Sequence, residues 1–291
     1  MQATLKLFIN GRWETGVTLG VSENPKLQGD VVAEFARADA IQTEAAARAA
    51  DQARRSWADS EPQRRADVLS TIAAELLVRQ DELARLMARE EGRPVEETQA
   101  EAARAGQLFR FFADEVLRQA GGERAAGKPS ARAVAARTPV GAVALIAPSQ
   151  FPLAIPAEQI APALAFGNTV VFKPAERASA CGWALAEIIS RAGLPAGVFN
   201  LVMGSGRLVG QTLVDSPLIA AVCFAGSAAI GEGVRQRAAT RRAKVQLLPL
   251  PMRQATGLQA SIAGGRALGR RAAEFFTIPA ATRPAATVSR A

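Results

Sequence analysis

The chain has 291 residues, 49% of them apolar and 21% charged, which is enough to bury a large core as one big domain or two smaller ones. No uninterrupted apolar run reaches membrane-spanning length. The opening Met1-Gln2-Ala3-Thr4-Leu5-Lys6 lacks the basic segment and apolar stretch of a secretory signal, so a cytoplasmic protein with no membrane partner is expected. The formal net charge of +8 is uneven. From Leu248 onward there are six Arg against the single acid Glu274, so a basic face across the whole domain, and nucleic-acid binding with it, is not expected.

The chain contains no His and no Tyr, which removes His-assisted nucleophiles, imidazole metal sites and phenolic proton donors. Its two cysteines, Cys181 and Cys223, are far apart and lack the spacing of a metal or dithiol motif. Chemistry must come from carboxylates, Lys, hydroxyls, amides or one thiol.

In chain order, Leu5 to Trp13 predicts a hairpin with Asn10-Gly11 at its turn, followed by a loop around Asn24-Pro25. Helical periodicity then covers about 39 to 119. The buried positions are Ala46, Ala49, Ala50, Ala53 and Trp57, then Leu69, Ile72, Ala73 and Leu76, with breaks at Ser60-Glu61-Pro62 and Gly92-Arg93-Pro94. The polar stretch of about 121–138 predicts two short extended pieces, a candidate oligomerisation hairpin. Four continuous apolar runs come next, at Gly141–Ile146, Asn168–Phe172, Val198–Val202 and Ala220–Phe224, with a fifth starting at Lys244. Helical stretches separate them. Short strands apolar on both sides, alternating with helices, predict an α/β fold with a Rossmann-like parallel sheet and flanking helices. Beyond Leu247, the Ala/Arg/Pro/Gly-rich residues 248–291 keep no lasting period. They read as an irregular, disordered tail rather than a basic arm.

Ligands of such sheets bind at the carboxyl ends of the strands, so the loops there carry the functional reading. Gly204-Ser205-Gly206-Arg207-Leu208-Val209-Gly210 suits backbone approach to a ligand, and equally a tight turn. Lys173-Pro174-Ala175-Glu176 could grip two ribose hydroxyls, with the carboxylate opposing a 2′-phosphate, or it could be a surface ion pair. Phe224-Ala225-Gly226-Ser227 opens a helix at which Ser227 could meet a phosphate or merely cap. In Pro148-Ser149-Gln150-Phe151-Pro152, the Gln150 amide could donate to an oxyanion or be an ordinary loop group. Taken together on one sheet, these corners favour a dinucleotide site.

Those loops, in that order, resemble the NAD(P)-dependent aldehyde dehydrogenase superfamily. The family's Pro-Trp-Asn-Phe-Pro appears as Pro148 to Pro152, its Lys-Pro-(Ala/Ser)-Glu as Lys173 to Glu176, its Gly-x-Gly-x-x-x-Gly at Gly204, Gly206 and Gly210, and its Phe-Thr-Gly-Ser-x-x-x-Gly from Phe224 to Gly231. Phe8 to Trp13, Asn24-Pro25, Glu91 to Pro94, Gly167 to Phe172 and Gly193 to Asn200 are similar as well. The resemblance covers about Leu5 to Leu247, and Ile155 to Gly204 looks most like semialdehyde-oxidising members, 2-oxoglutarate semialdehyde dehydrogenases included.

The resemblance implies NAD(P)-dependent oxidation of an aldehyde to a carboxylate. In the family a Cys thiolate attacks the aldehyde, hydride passes to the nicotinamide and a Glu-activated water completes hydrolysis. It places Lys173 and Glu176 at the adenosine ribose, Gly206 and Gly210 at the adenine side and Ser227 at the pyrophosphate. Ile146, Pro148, Pro174, Phe224, Gly226 and Ile230 complete the expected coenzyme site. Glu176 tips the choice towards NAD over NADP. Gln150 stands where the family has its oxyanion Asn, one methylene longer, which moves its donor by about an ångström. The family's Glu-Leu-Gly-Gly is replaced by Leu248-Pro249-Leu250-Pro251, and no Cys follows Cys223. The expectation is therefore residues 1–247 as helical region plus NAD(P)-binding domain, with the catalytic domain absent from a truncated or frameshifted chain that is inactive alone. Such a chain could act as a coenzyme-binding or interaction module, as an oligomer, or with a full-length paralogue. Both cysteines are expected to be buried and inert.

Overall fold

A turn with positive φ at two consecutive residues opens the fold. Asn10 (φ 50°) and Gly11 (φ 78°) join β1 (Leu7–Ile9) to β2 (Arg12–Glu14), with Phe8 opposite Trp13. This is the twist-compatible hairpin that the Asn-Gly pair predicts. The computed structural model describes residues 4–125, 137–250 and 265–279. A second hairpin, β3 (Thr18–Glu23) with β4 (Val31–Arg37), occupies the region read as a loop around Asn24-Pro25. β4 buries Val32, Ala33, Phe35 and Ala36 in pairs rather than in alternation, and β3 buries only Gly20 and Ser22 while its apolar Leu19 and Val21 face outward.

Four helices follow: α1 (Ala40–Ala58), α2 (Pro62–Val78), α3 (Gln80–Glu91) and α4 (Val95–Ala125). Asp39 caps α1 by accepting from the Gln42 amide at 2.7 Å, and Pro62 sits in the first turn of α2, where its missing N–H costs nothing. The buried stripe of α1 ends on Trp57, whose indole donates to the Leu164 carbonyl at 3.1 Å and pins α1 to the α/β half.

The expected strands form as β6 (Ala142–Ile146), β7 (Thr169–Lys173), β8 (Phe199–Leu201), β9 (Ala221–Ser227) and β10 (Lys244–Leu250). The sheet order is β10-β9-β6-β7-β8-β1-β2, five parallel strands closed on one edge by the antiparallel N-terminal hairpin. Between them lie α5 (Ala154–Ala165), α6 (Ser179–Arg191), a tight π turn (Gly206–Gly210) running into α7 (Gln211–Asp215), and α8 (Ala228–Thr240). Strands β6 and β7 are buried throughout, as expected for strands with both faces covered.

Two expectations are corrected beyond this core. Residues 248–291 are not uniformly irregular: Leu248–Leu250 continue β10, and α9 (Gly265–Phe276) leads into β11 (Thr277–Pro279). Pro249 is tolerated because β10 is an edge strand. Helix α9 buries Gly269, Ala272 and Phe276, a short helical stripe hidden by Ala/Arg composition, and Lys244 Nζ donates to the carbonyls of Glu274, Phe275 and Thr277 at 2.9–3.0 Å. The hairpin expected over about 121–138 also differs. Gly121 to Ala125 extend α4, and β5 (Arg137–Pro139) pairs with β11 of the same chain; residues 126–136 lie outside the described residues.

Candidate functional site

Parallel register brings three of the predicted residues side by side at the carboxyl edge of the sheet. Ile146 on β6 is the partner of Lys173 on β7 and of Phe224 on β9. Gly210 comes from the turn after β8. A Cβ placed there would lie 3.8 Å from Lys173 Cδ and 3.9 Å from Ile146 Cδ1, ordinary contact distances, so the turn packs directly on that pair. Gly206, at the exposed start of the same turn, has no atom within 4 Å of its virtual Cβ, and Ser205 caps the turn by accepting from the Leu208 amide at 3.1 Å.

Lys173 is 3% exposed, and its ammonium donates to the Pro174 carbonyl at 2.9 Å. Burial pulls the amine down to about 8, with the more distant Glu176 carboxylate opposing the shift. Glu176 makes no surface pair with Lys173. Its Oε1 accepts from Arg37 Nε at 2.8 Å, a residue delivered by β4 that the sequence reading did not single out. Pro174 is buried against α6, where a Cβ on Gly182 would approach its ring to 2.5 Å, so its placement is explained by packing. Phe224 is also largely internal, folded over Gly226 and facing Gly231. Ser227 and Ile230 are exposed at the start of α8, and Ser227 Oγ accepts from the Ile230 amide at 3.4 Å.

The other strand-end helices have their amino termini occupied from within the chain. Glu101 Oε1 accepts from the Leu153 and Ala154 amides at 3.0 and 3.2 Å at the head of α5. Glu90 accepts from the Ala180 and Cys181 amides, each at 2.8 Å, at the head of α6. Both carboxylates are buried, and desolvation raises both above the usual carboxylate range. Of the α5, α6 and α8 amino termini, α8 alone is capped by a neutral hydroxyl and keeps its capacity for an anion.

The Pro148 loop is clamped by the same acidic cluster. Arg93 bridges Glu91 at 3.0 Å and Glu101 at 2.6 Å, Glu91 accepts from the Phe151 amide at 3.1 Å, and the guanidinium lies 4.6 Å from the Phe151 ring centre. Phe151 is thereby held at φ 51°, a rare value for a non-glycine residue. Burial, then the neighbouring Glu101 charge, pushes Glu91 up to about 7. Gln150 is exposed next to this held residue, and Pro148 is half-buried. Glu101 carried a signal that the helix reading passed over: it is a charge on the buried stripe of α4 that includes Ala102, Ala105, Leu108, Phe109 and Phe112.

Both thiols are buried. Desolvation raises each well above the ordinary thiol range, and Glu90 adds to the effect at Cys181. Neither is available as a thiolate.

The aldehyde dehydrogenase family model matches residues 17–250, from β3 to the end of β10. The chain belongs to the aldehyde dehydrogenase family. It is 38% identical over 250 residues to the alpha-ketoglutaric semialdehyde dehydrogenase of Bacillus subtilis, a match covering 84% of this chain and 51% of that one. It is 36% identical over 243 residues to the NADP(+) succinate-semialdehyde dehydrogenase of Escherichia coli K12, covering 82% and 50%. Among solved structures, 1-pyrroline-5-carboxylate dehydrogenase from Thermus with bound NAD superposes with a TM-score of 0.78 at 32% identity, over 84% of this chain and 49% of that one. The chain thus spans about half the length of the curated relatives it matches. The family uses NAD or NADP, and the fold is the α/β architecture of its coenzyme-binding half.

The described residues suit such a coenzyme. Gly210 packs on the Lys173 stem at the strand end, α8 starts with free anion-binding capacity, and the glycine turn after β8 lets backbone approach. When bound, the coenzyme would supply hydride acceptance. Lys173, Glu176 and Ser227 are the residues that could hold it.

Proposed function

We propose that this aldehyde dehydrogenase family chain carries the coenzyme-binding half of an NAD(P)-dependent semialdehyde-oxidising enzyme, and that alone it holds the dinucleotide without oxidising aldehyde. The strand-end corner where Gly210 packs on Lys173 and Ile146 carries the reading of the site. Lys173 offers donors for ribose hydroxyls, the α8 amino terminus with Ser227 offers N–H groups for one phosphate, and the exposed Ile230 gives an apolar surface beside it.

The substrate class follows the semialdehyde relatives. The lack of turnover follows from the thiols, since no Cys of this sequence lies outside the buried positions 181 and 223. Gln150 is the one candidate oxyanion donor, exposed on a loop fixed by Glu91, Arg93 and Glu101.

A fluorescence titration with NADH and NADPH tests the first half of the proposal. Saturable enhancement is expected, and a flat response at millimolar coenzyme would overturn it. An absorbance assay with succinate semialdehyde or 2-oxoglutarate semialdehyde tests the second half, and sustained production of reduced coenzyme would refute it.

A further inference from the structure

The clamp on the Pro148 loop concentrates charge in a way that coenzyme binding does not require. One nitrogen, Arg93 Nη1, donates to Glu91 Oε2 at 3.0 Å and to Glu101 Oε2 at 2.6 Å, so two carboxylates meet on a single guanidinium. Their side chains are only 6% and 2% exposed. The exposed Glu97 takes Nε of the same arginine at 3.5 Å. One positive charge cannot neutralise two buried negative ones, and like charges held out of water are relieved by taking up a proton. The packed elements bring no obvious counter-charge. On α3, Glu90 is a further buried acid and Arg89 bonds Asp30. On α4, Arg104 interacts with Glu158 of α5. Helix α6 brings the buried Cys181 thiol, the β3–β4 turn lays only the Lys26 stem against Gly92, and residues 148–152 carry no charge.

What the two carboxylates hold is strained. Glu91 Oε1 accepts from the amide of Phe151, which sits at φ 51°, and Glu101 Oε1 accepts from the amides of Leu153 and Ala154. Letting go would relax Phe151 and bring Glu91 into water, so the loop has a clamped arrangement and a released one.

We propose that Glu91 is a positioning residue for the Pro148–Pro152 loop and that its clamp is a proton-operated latch, tight while the Glu91–Glu101 pair shares a proton and looser once both carboxylates are ionised. A protonated Glu91 keeps Oε1 for the Phe151 amide and carries its proton on Oε2, the oxygen that shares Arg93 Nη1 with Glu101. In the clamped loop, burial and then the Glu101 charge put Glu91 at about 7, against an ordinary 4.5. The clamped form therefore binds the proton more tightly than the released form. Its advantage is full below about pH 4.5 and is lost as pH rises through 7. The latch decides how firmly Pro148 and Gln150 are presented at the end of β6, and it operates without a bound coenzyme.

The test is amide hydrogen exchange of the full chain from about pH 5.5 to about pH 8.5, read by mass spectrometry in peptides covering 148–154 and, as a reference for the rest of the fold, in peptides from α1. Each rate is divided by that of an unstructured peptide at the same pH. Protection of the loop is expected to fall by roughly tenfold or more across this range while α1 changes little. Glu91→Gln keeps an acceptor oxygen without the charge, so its loop should change by less than about threefold and be at least as protected as the unaltered loop at the alkaline end. Glu91→Ala, with no acceptor, should show a poorly protected loop at every pH, and Glu97→Gln should leave the pH response as it is. Loop protection that is flat or rises with pH in the unaltered chain would overturn the latch, as would a parallel fall in α1. An undiminished pH response in Glu91→Gln, or its loss in Glu97→Gln, would overturn the assignment to Glu91. The unaltered chain's profile decides the matter even where a variant proves too unstable to measure.

Discussion

Replacing Lys173 by Met separates what the buried amine costs the fold from what it gives the ligand. Burial lowers the amine from its ordinary 10.5 to about 8. The folded state therefore disfavours the ammonium. The penalty is full below pH 8, where folded and unfolded chains are both protonated, and it fades as pH rises from about 8 towards 10.5, where the unfolded chain alone still holds the proton. A displacement of that size corresponds to about 3 kcal/mol at pH 7. The bond to the Pro174 carbonyl, worth about 1 kcal/mol net, offsets part of it. Met fills the same stem volume without the charge, so Lys173→Met is expected to stabilise the uncomplexed chain by roughly 1–3 kcal/mol at pH 7. Urea denaturation at pH 7 and pH 9.5 reads this out, with the advantage shrinking at the higher pH. Coenzyme affinity should fall at the same time, by about tenfold for the loss of one charged donor. A variant less stable than the parent at pH 7, with no pH dependence in the difference, would refute the reasoning.

Further outcomes follow from the acidic clamp and the thiols. Glu101→Ala strips the head of α5 of its acceptor and leaves Arg93 with one fewer partner, so it should cost about 2–4 kcal/mol and speed limited proteolysis in the Pro148–Pro152 loop, read by mass spectrometry of the fragments. Cys181 and Cys223 should both resist a thiol-specific chromogenic reagent at pH 8 in the native chain and react fully in denaturant; rapid native labelling of either would contradict their assignment as structural. Replacing Phe276 by Ala should cost roughly 3–5 kcal/mol, because α9 is docked through it and is no loose tail, and thermal unfolding monitored by circular dichroism would show the loss.

Much of the fold was legible because its signals are local. Asn10-Gly11 fixes a turn, Trp57 and the alanines before it mark a helix face, and Val170-Val171-Phe172 can only be an interior strand. What escaped depends on partners distant in sequence. Strand β3 turns its apolar Leu19 and Val21 outward and buries Gly20 and Ser22, so it is recognisable only beside β4. The stripe of α9 is short and poor in large side chains, and the carbonyls at its end are satisfied by Lys244, which the sequence reading treated as the start of a strand.

The site divides in the same way. Lys173, Gly210 and Ser227 could be named from motifs at strand ends, since backbone geometry dictates their residue types. Arg37, Glu90 and Glu101 could not, because each acts on a loop or helix far along the chain, through a hydrogen bond whose partner sequence proximity does not reveal. Pro174 and Phe224, although inside the motifs, are accounted for by packing against α6 and against Gly226 and Gly231.

The central claim is that the strand-end corner of Ile146, Lys173 and Gly210 receives a nicotinamide dinucleotide. Calorimetric titration of NAD+ into the parent chain and into Gly210→Leu, with thermal unfolding recorded for both, tests it most directly. One site per chain in the parent, and affinity lower by at least about tenfold in a variant that melts within a few degrees of it, is the predicted result. Equal heats and equal affinities for two well-folded proteins would contradict it.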